Sequence, residues 1–295
     1  MKRRTGAALL ALLLHACGGD APPGLAPPAA PQGVLAASSG TGDLVCALLP
    51  PERVAGLPVQ MRDYSGHREA GDPYLARPTF GVFSAEAALA LGPDLVVADR
   101  WGPSETAARL TEAGVPVLVL ERLERLADVR AAVRQLAPAL GAEERAAALL
   151  ADLDTRVAAL HAARGRRAGL RALAYTNGGT GGWVAGSGTS ADEWLELAGL
   201  VNAAGREGHA RFGFEELLLA DPDVLVVPGR DDPDEHGGTA ALVREDRQLS
   251  GLRARRRGLV VELPAWLFST NTQHIVTAAE ELARRLDAAL AEAPP

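Results

Sequence analysis

The chain has 295 residues, 30 of them Lys or Arg against 37 Asp or Glu, for a net charge of −7. Its length suits one large or two modest domains, and 47% hydrophobic residues exclude a disordered chain. The acidic balance excludes a nucleic-acid binder, which needs a basic face to meet phosphates.

The first residues carry a targeting pattern. Lys2, Arg3 and Arg4 form a positive start, and Ala7 to Leu14 form an apolar run too short to span a bilayer. Leu14-His15-Ala16-Cys17 follows, then Gly18-Gly19. Small residues before a cysteine at the end of such a run resemble the lipobox of bacterial lipoproteins. The resemblance implies a signal peptide over 1–17, cleavage before Cys17 and acylation of that residue. Several acyl chains, at about 0.8 kcal/mol per buried methylene, make a stable anchor. Cys46 then has no partner for a disulfide and reads as a small buried hydrophobe. Residues 18–32 are rich in Pro, Ala and Gly and read as a semi-extended tether.

The body alternates strand and helix. Val34 to Ala37 is a strand, Thr41 to Leu49 has helical spacing, and Arg53 to Leu57 is a second short strand. Leu95 to Ala98 and Val115 to Leu120 are continuous apolar runs. Between them Ser104 to Ala113 is a helix, with Ser104 as its N-cap and Gly114 as its stop. Unbroken apolar strands separated by helices point to a parallel sheet covered on both faces. Ala127 to Leu136 leads through Pro138 and Gly141 into an alanine-rich helix, Ala142 to Ala163, about 33 Å long at 1.5 Å per residue. That length bridges two lobes. Beyond it, Leu170 to Tyr175, Val224 to Val227 and Leu259 to Leu263 are strands. Ser190 to Ala198 is a helix stopped by Gly199, and Gln273 to Leu290 is a long amphipathic closing helix.

The halves share a repeat. Glu86-Ala-Ala-Leu-Ala-Leu-Gly-Pro93-Asp94-Leu-Val-Val recurs as Glu215-Glu-Leu-Leu-Leu-Ala-Asp-Pro222-Asp223-Val-Leu-Val-Val, at a constant offset: 215 − 86 and 222 − 93 both give 129. In each copy a glutamate opens a short helix, Pro-Asp breaks it, and a buried strand follows. A repeat of this length predicts two similar α/β lobes, and a cleft between lobes is a common way to hold a small molecule.

These two helix-Pro-Asp-strand units, the alanine-rich connector and Gly186-Ser-Gly-Thr-Ser…Leu197-Ala-Gly199-Leu-Val-Asn202 together resemble the helical-hinge periplasmic binding proteins. Those are the binding proteins of iron-siderophore, haem and vitamin B12 importers. The resemblance covers about residues 33 to 290. It implies an α/β fold of two Rossmann-like lobes with mainly parallel sheets, joined by one long bridging helix, with the ligand cleft between the lobes. The N-terminal lobe then spans 33–122, the connecting helices 123–165 and the C-terminal lobe 166–295. It also implies a monomeric, extracytoplasmic, membrane-anchored lipoprotein that serves an ABC permease dimer with its ATPase, and no cofactor beyond the captured ligand. That ligand is an iron complex (siderophore or haem) or cobalamin. One glutamate per lobe docks on permease arginines in that family; matched by position these are Glu86 and Glu215. Each sits near a helix N-terminus, where a carboxylate is favoured.

The ligand is expected at the C-terminal ends of the strands. The candidate contacts are Ser39, Thr41, Tyr64, His67, Trp101, Trp183, Arg211, Phe212, Trp266 and Asn271. Aromatic residues are scarce, at 4% of the chain, yet Tyr64, Trp101, Trp183 and Trp266 all fall at expected strand ends. Broad rigid rings suit a flat macrocycle or a catecholate. Gly178 to Gly182 reads as a flexible loop and lacks the Lys-Ser/Thr ending of a phosphate loop. His67, His209, His236 and His274 lack metal-ligand spacing, so direct zinc or manganese binding is the alternative reading, not the first. His67 and Tyr64 read as plain contacts before axial haem ligands. No Gly-x-Ser-x-Gly elbow occurs, and no catalytic residue is expected. A sensor or scaffold on the same fold is a further alternative.

Overall fold

The computed structural model describes residues 30–100, 102, 104–179, 181–229 and 238–292. The expected signal peptide, Cys17 and Trp101 lie outside the described residues, as does His236.

The first half runs β1 (Val34–Ala36), α1 (Ser39–Leu48), β2 (Val54–Pro58), α2 (Met61–Tyr64), β3 (Thr79–Phe80), α3 (Ala85–Ala90), β4 (Leu95–Asp99), α4 (Ser104–Glu112) and β5 (Val117–Leu120). Its five strands form one sheet in the order β3-β2-β1-β4-β5, and every pairing is parallel. The chain then crosses through α5 (Leu126–Leu140) and α6 (Glu143–Ala162). The second half runs β6 (Arg171–Asn177), β7 (Gly182–Ala185), α7 (Ser190–Leu197), β8 (Val201–Asn202), β9 (His209–Arg211), α8 (Phe214–Ala220), β10 (Val224–Pro228), α9 (Thr239–Glu245), α10 (Arg253–Arg256), β11 (Val260–Leu263), α11 (Ala265–Phe268) and α12 (His274–Glu292). Its sheet is ordered β11-β10-β6-β7-β9, with β8 also on β6. β11, β10, β6 and β8 pair in parallel; β7 and β9 are antiparallel.

The period-2 pleat sorts each apolar run between two cores. Val34, Ala36, Leu95 and Val97 face a central core, while Leu35 and Val96 face an outer one under α3 and α4. In the second half Ala172, Ala174, Val224 and Val226 join the central core. Leu173, Tyr175, Leu225 and Val227 fill another outer core, with residues of α9 and α10. Covered on both faces, these strands need no polar side, so their sequence does not alternate. The central core is continuous across both halves and holds the buried faces of α1, α5, α6, α7 and α12.

The 129-residue repeat is structural. α3 and α8 begin at 85 and 214, and β4 and β10 begin at 95 and 224. After each helix comes one left-handed residue, Gly92 (φ 59°) and Asp221 (φ 37°). The chain then turns through Pro into Asp94 or Asp223. Asp94 accepts from the Gln32 and Gly33 N–H groups at 2.8 and 3.0 Å, and Asp223 accepts from the Arg171 N–H at 3.0 Å. Each aspartate thus clamps the start of its strand to the neighbouring strand. Burial alone would raise the Asp223 carboxyl, but the Arg171 N–H and the Arg253 guanidinium outweigh it and hold it below the usual range.

Two readings of the connector and tether shift. α5 does not stop before Pro138 but runs through it to Leu140. Pro138 leaves the Arg134 carbonyl without its helical donor, and Arg134 is exposed, so water can satisfy that carbonyl. Gly141, at φ 56°, supplies the left-handed turn into α6. Pro31 and Gln32, at the end of the expected tether, are already held by the body: Arg53 donates to the Pro31 carbonyl at 2.7 Å.

Cys46 is free and buried. Burial, with Asp43 and Asp72 nearby, pushes its thiol far up. In a soluble form starting at residue 30, Cys46 is the only cysteine. It is expected to react with a thiol reagent only after denaturation; prompt labelling of the native protein would contradict this burial.

Candidate functional site

The second half carries a cavity of about 450 Å³ on the inner side of β6, β7 and β9. Small side chains open it: Ala174 on β6, Ala185 on β7 and Ala191 on α7 line its floor. Trp183 forms one wall, and Phe268 of α11 lines it too. Polar groups come from Glu124, Thr176, Ser190, His209, Ser269 and Asn271. Trp183 pairs with Thr176 on one side and Arg211 on the other, so these three form one row across the sheet. The Arg211 guanidinium lies over the Trp183 ring, 5.3 Å from its centroid. The indole is still 42% exposed, so part of its apolar surface, with the cation stacked on the ring beside it, is open to a ligand.

Local sequence builds this wall. Gly179 and Gly181 have φ of 90° and 110°. They turn β6 back into β7, so the glycine run is a hairpin turn. At Gly182 a Cβ would stand 2.2 Å from the Tyr175 hydroxyl and 2.3 Å from the Phe212 carbonyl, so only glycine allows β7 to pass there. Gly186-Ser-Gly-Thr-Ser forms the turn that caps α7. The Thr189 hydroxyl donates to the Gly186 carbonyl at 2.8 Å and accepts from the Asp192 N–H at 3.2 Å.

The connector is tied down beside the cavity. Arg125 reaches α7, with Nη1 3.1 Å from Asp192 and Nη2 2.5 Å from Glu196, and Nε donates to Glu193. This fixes the neighbouring Glu124, which lines the cavity.

The first half meets the second at α1. A Cβ on Gly40 would lie 3.0 Å from Asn271 Oδ1, so the start of α1 adjoins the cavity's Asn271. Ser38 caps α1 and donates to Asp99 at the end of β4 at 2.5 Å. Deeper, Asp43 is 2% exposed. Its carboxylate accepts from the Gly66 N–H at 3.3 Å and the Thr272 hydroxyl at 3.2 Å, and lies 3.7 Å from His274 Nε2. Gln273 donates to the Asp43 carbonyl at 3.1 Å.

The candidate contacts do not form one ring. Trp183 and Asn271 line the cavity, Arg211 stacks on Trp183, and Ser39 opens α1 near Asn271. Trp266 instead packs edge-on against His274 at 5.2 Å, with Arg68 over it at 5.9 Å. His67 is held by Asp72 at 2.9 Å and packs on Tyr74 at 4.6 Å. Tyr64 ends α2 and is exposed. Two residues are withdrawn as open contacts. Thr41 is buried, its hydroxyl spent on the Ser38 carbonyl in the α1 cap. Phe212 is buried in an outer core. Of the aromatic residues expected at strand ends, Trp183 lies inside β7, while Tyr64 and Trp266 lie on the short helices α2 and α11.

The sequence reading missed the cavity roles of Glu124, Thr176 and His209. The signal was the pleat: His209 and Arg211, like Trp183 and Ala185, share a face at spacing 2. Larger hollows exist, one of about 700 Å³ beside the glycine turn and Glu215, and one of about 550 Å³ between α5, α6 and α7. Neither contains an aromatic wall with a stacked cation. Among the described residues no group of three His, Cys, Asp or Glu could hold a metal ion.

A sequence profile of the periplasmic binding protein family matches residues 68–267, which is more than half of the chain. The chain belongs to the periplasmic binding protein family. Solved structures share its fold along nearly their whole length. The periplasmic haem-binding protein BhuT, solved with two haems, is 28% identical, with 88% of this chain and 98% of that chain covered and a TM-score of 0.74. The haem-binding protein RhuT from Roseiflexus sp. RS-1 is 26% identical, covering 88% and 99%, also at 0.74. A protein of an ABC-type Fe3+-hydroxamate transport system from Saccharomonospora viridis is 24% identical, covering 87% and 93%, at 0.68, and shares the fold. No curated protein matches the sequence. Membership brings the two-lobe α/β architecture and the character of a binding protein that works outside the cytoplasm. No helix among the described residues is long and apolar enough to cross a membrane.

Proposed function

We propose that this protein captures an iron complex, either haem or a siderophore, or cobalamin, and delivers it to an ABC permease dimer with its ATPase. The family match carries the reading, because haem-binding relatives align with it at 26–28% identity along 88% of its length. The cavity supports it. An exposed indole, a guanidinium stacked on it and a polar rim suit a broad, partly apolar complex with anionic substituents. Lobes at 33–122 and 166–295, joined by 123–165, hold that ligand between them. Cys17 carries the lipid anchor, and Glu86 and Glu215 meet the permease. No residue is assigned a catalytic role, and the protein works as a monomer.

Mass spectrometry of small molecules released from the mature protein, purified from cells that supply haem, siderophores and corrinoids, tests this. A tetrapyrrole, corrinoid or ferric siderophore in near-stoichiometric amount is expected. Stoichiometric zinc or manganese with none of these would contradict the reading.

A further inference from the structure

Six polar side chains line the cavity: Glu124, Thr176, Ser190, His209, Ser269 and Asn271. Among the described residues, none of these six side chains makes a hydrogen bond or ion pair. Polar groups beside the cavity are spent instead. Thr189 closes the α7 turn, and Asn202 donates to Asp192 at 3.0 Å. Paired groups therefore build the wall, and unpaired ones line the space.

Glu124 is the only carboxylate in the lining. It is half-buried, and the chain around it is fixed. Its own N–H and that of Arg125 both donate to Asp128, at 3.2 and 2.9 Å. The two nearest arginines in sequence are already engaged. Arg122 bonds Asp128 at 2.9 Å, and Arg125 is divided among Asp192, Glu193 and Glu196. Arg211 lies over the Trp183 ring and forms no ion pair with Glu124. The site thus offers two separate charges: a cation on the indole, and an unpaired carboxylate from the connector. A carboxylate accepts hydrogen bonds and donates none. A ligand that covers it without supplying a donor strips its water and leaves the charge unsatisfied. A second carboxylate brought against it adds repulsion.

We propose that Glu124 is a specificity-determining residue, selecting complexes that present a nitrogen donor, a primary amide or an ammonium, over complexes whose peripheral polar groups are all carboxylates. This rests on the capture reading above and narrows it. Cobalamin, with primary amides around its ring and one phosphodiester, meets both charges: amide N–H groups on Glu124, the anion on Arg211. A linear ferric hydroxamate ending in an ammonium satisfies Glu124 in the same way. Haemin carries two propionates and no peripheral nitrogen donor, so it suits Arg211 and opposes Glu124.

The full chain and its Glu124→Gln variant, each titrated with cobalamin, haemin and a linear ferric trihydroxamate ending in a free amine, test this. The parent is expected to bind cobalamin or the amine-bearing complex at least about tenfold more tightly than haemin. Glu124→Gln is expected to weaken that preferred complex by about tenfold and to strengthen haemin by about tenfold. A loss confined to cobalamin identifies the amide as the donor, and one confined to the trihydroxamate identifies the ammonium. A purely structural role for Glu124 would shift all three affinities in one direction. That result, or three unchanged affinities, would overturn the proposal. So would a parent that binds haemin most tightly, and capture of an iron complex would then still stand. A folded parent that binds none of the three would remove the capture reading, and this proposal with it.

Discussion

The Trp183→Ala variant is expected to bind its ligand about 10- to 100-fold more weakly, the effect of removing one desolvated aromatic anchor worth about 1–3 kcal/mol. The probes are haemin, a ferric hydroxamate siderophore and cobalamin, each titrated by absorbance. Trp183 gives the cavity its flat wall and orients Arg211, which stacks on it at 5.3 Å. Losing the indole therefore removes an apolar face and frees the guanidinium that would meet an anionic group. The ring is 42% exposed, so the core does not depend on it. Stability should fall by about 1–3 kcal/mol, from the lost cation–π contact and the covered part of the ring. Phenylalanine at 183 should restore much of the affinity. An alanine variant that binds every probe as tightly as the parent would remove the cavity as the ligand site.

The second large effect is structural. Asp43→Ala is expected to lower unfolding stability by about 2–4 kcal/mol in a urea titration, as is usual for breaking a buried polar network. Asp43 is 2% exposed and joins three segments: its own α1, the loop at Gly66, and the start of α12 at Thr272. Alanine leaves the partly buried Gly66 N–H and the buried Thr272 hydroxyl without that acceptor. Asn at 43 keeps one acceptor oxygen and should cost less than half as much. The backbone approach is close as well: a Cβ on Gly66 would stand 2.7 Å from His274 Nε2. This contact pins the two halves beside the start of α1, so ligand affinity should fall with stability in Asp43→Ala. A loss under about 0.5 kcal/mol, the scatter of ordinary surface changes, would show that the network contributes nothing.

Much of the fold was legible because its strongest elements announce themselves twice. Glu86 to Val97 and Glu215 to Val227 repeat in sequence, and the repeat survives as helix, left-handed residue, Pro-Asp clamp and buried strand. Apolar runs such as Leu95 to Ala98 could be assigned because both faces of each sheet are covered. What was not legible depends on pairing across distance. β7 and β9 are four and three residues long, too short for a period to emerge. The antiparallel course of β7 follows from the turn at Gly179 and Gly181, where a glycine run reads equally well as a loop, and β9 joins β7 only after α7 and β8 intervene. The short helices α2, α10 and α11 span four residues each and are made by tertiary packing, not by propensity.

The site was legible in part for a similar reason. Trp183, Arg211 and Asn271 were identified from residue type and do come together. Thr41 and Phe212 were identified by the same criteria, yet a helix cap claims one and an outer core the other. Residue type signals what a side chain can do; only the register of β6, β7 and β9 decides which side of the sheet it does it on. His209 shows the converse. As a residue type it signals nothing, but its spacing of two from Arg211 on β9 puts it on the cavity face.

Capture of an iron complex or corrinoid in this cavity is checked by following tryptophan fluorescence of the soluble mature domain. Haemin, a ferric hydroxamate siderophore and cobalamin are each added in turn to saturation. Saturable quenching by at least one of them is expected, with about 10- to 100-fold weaker half-saturation in the Trp183→Ala variant. A folded protein whose fluorescence responds to none of the three would contradict it.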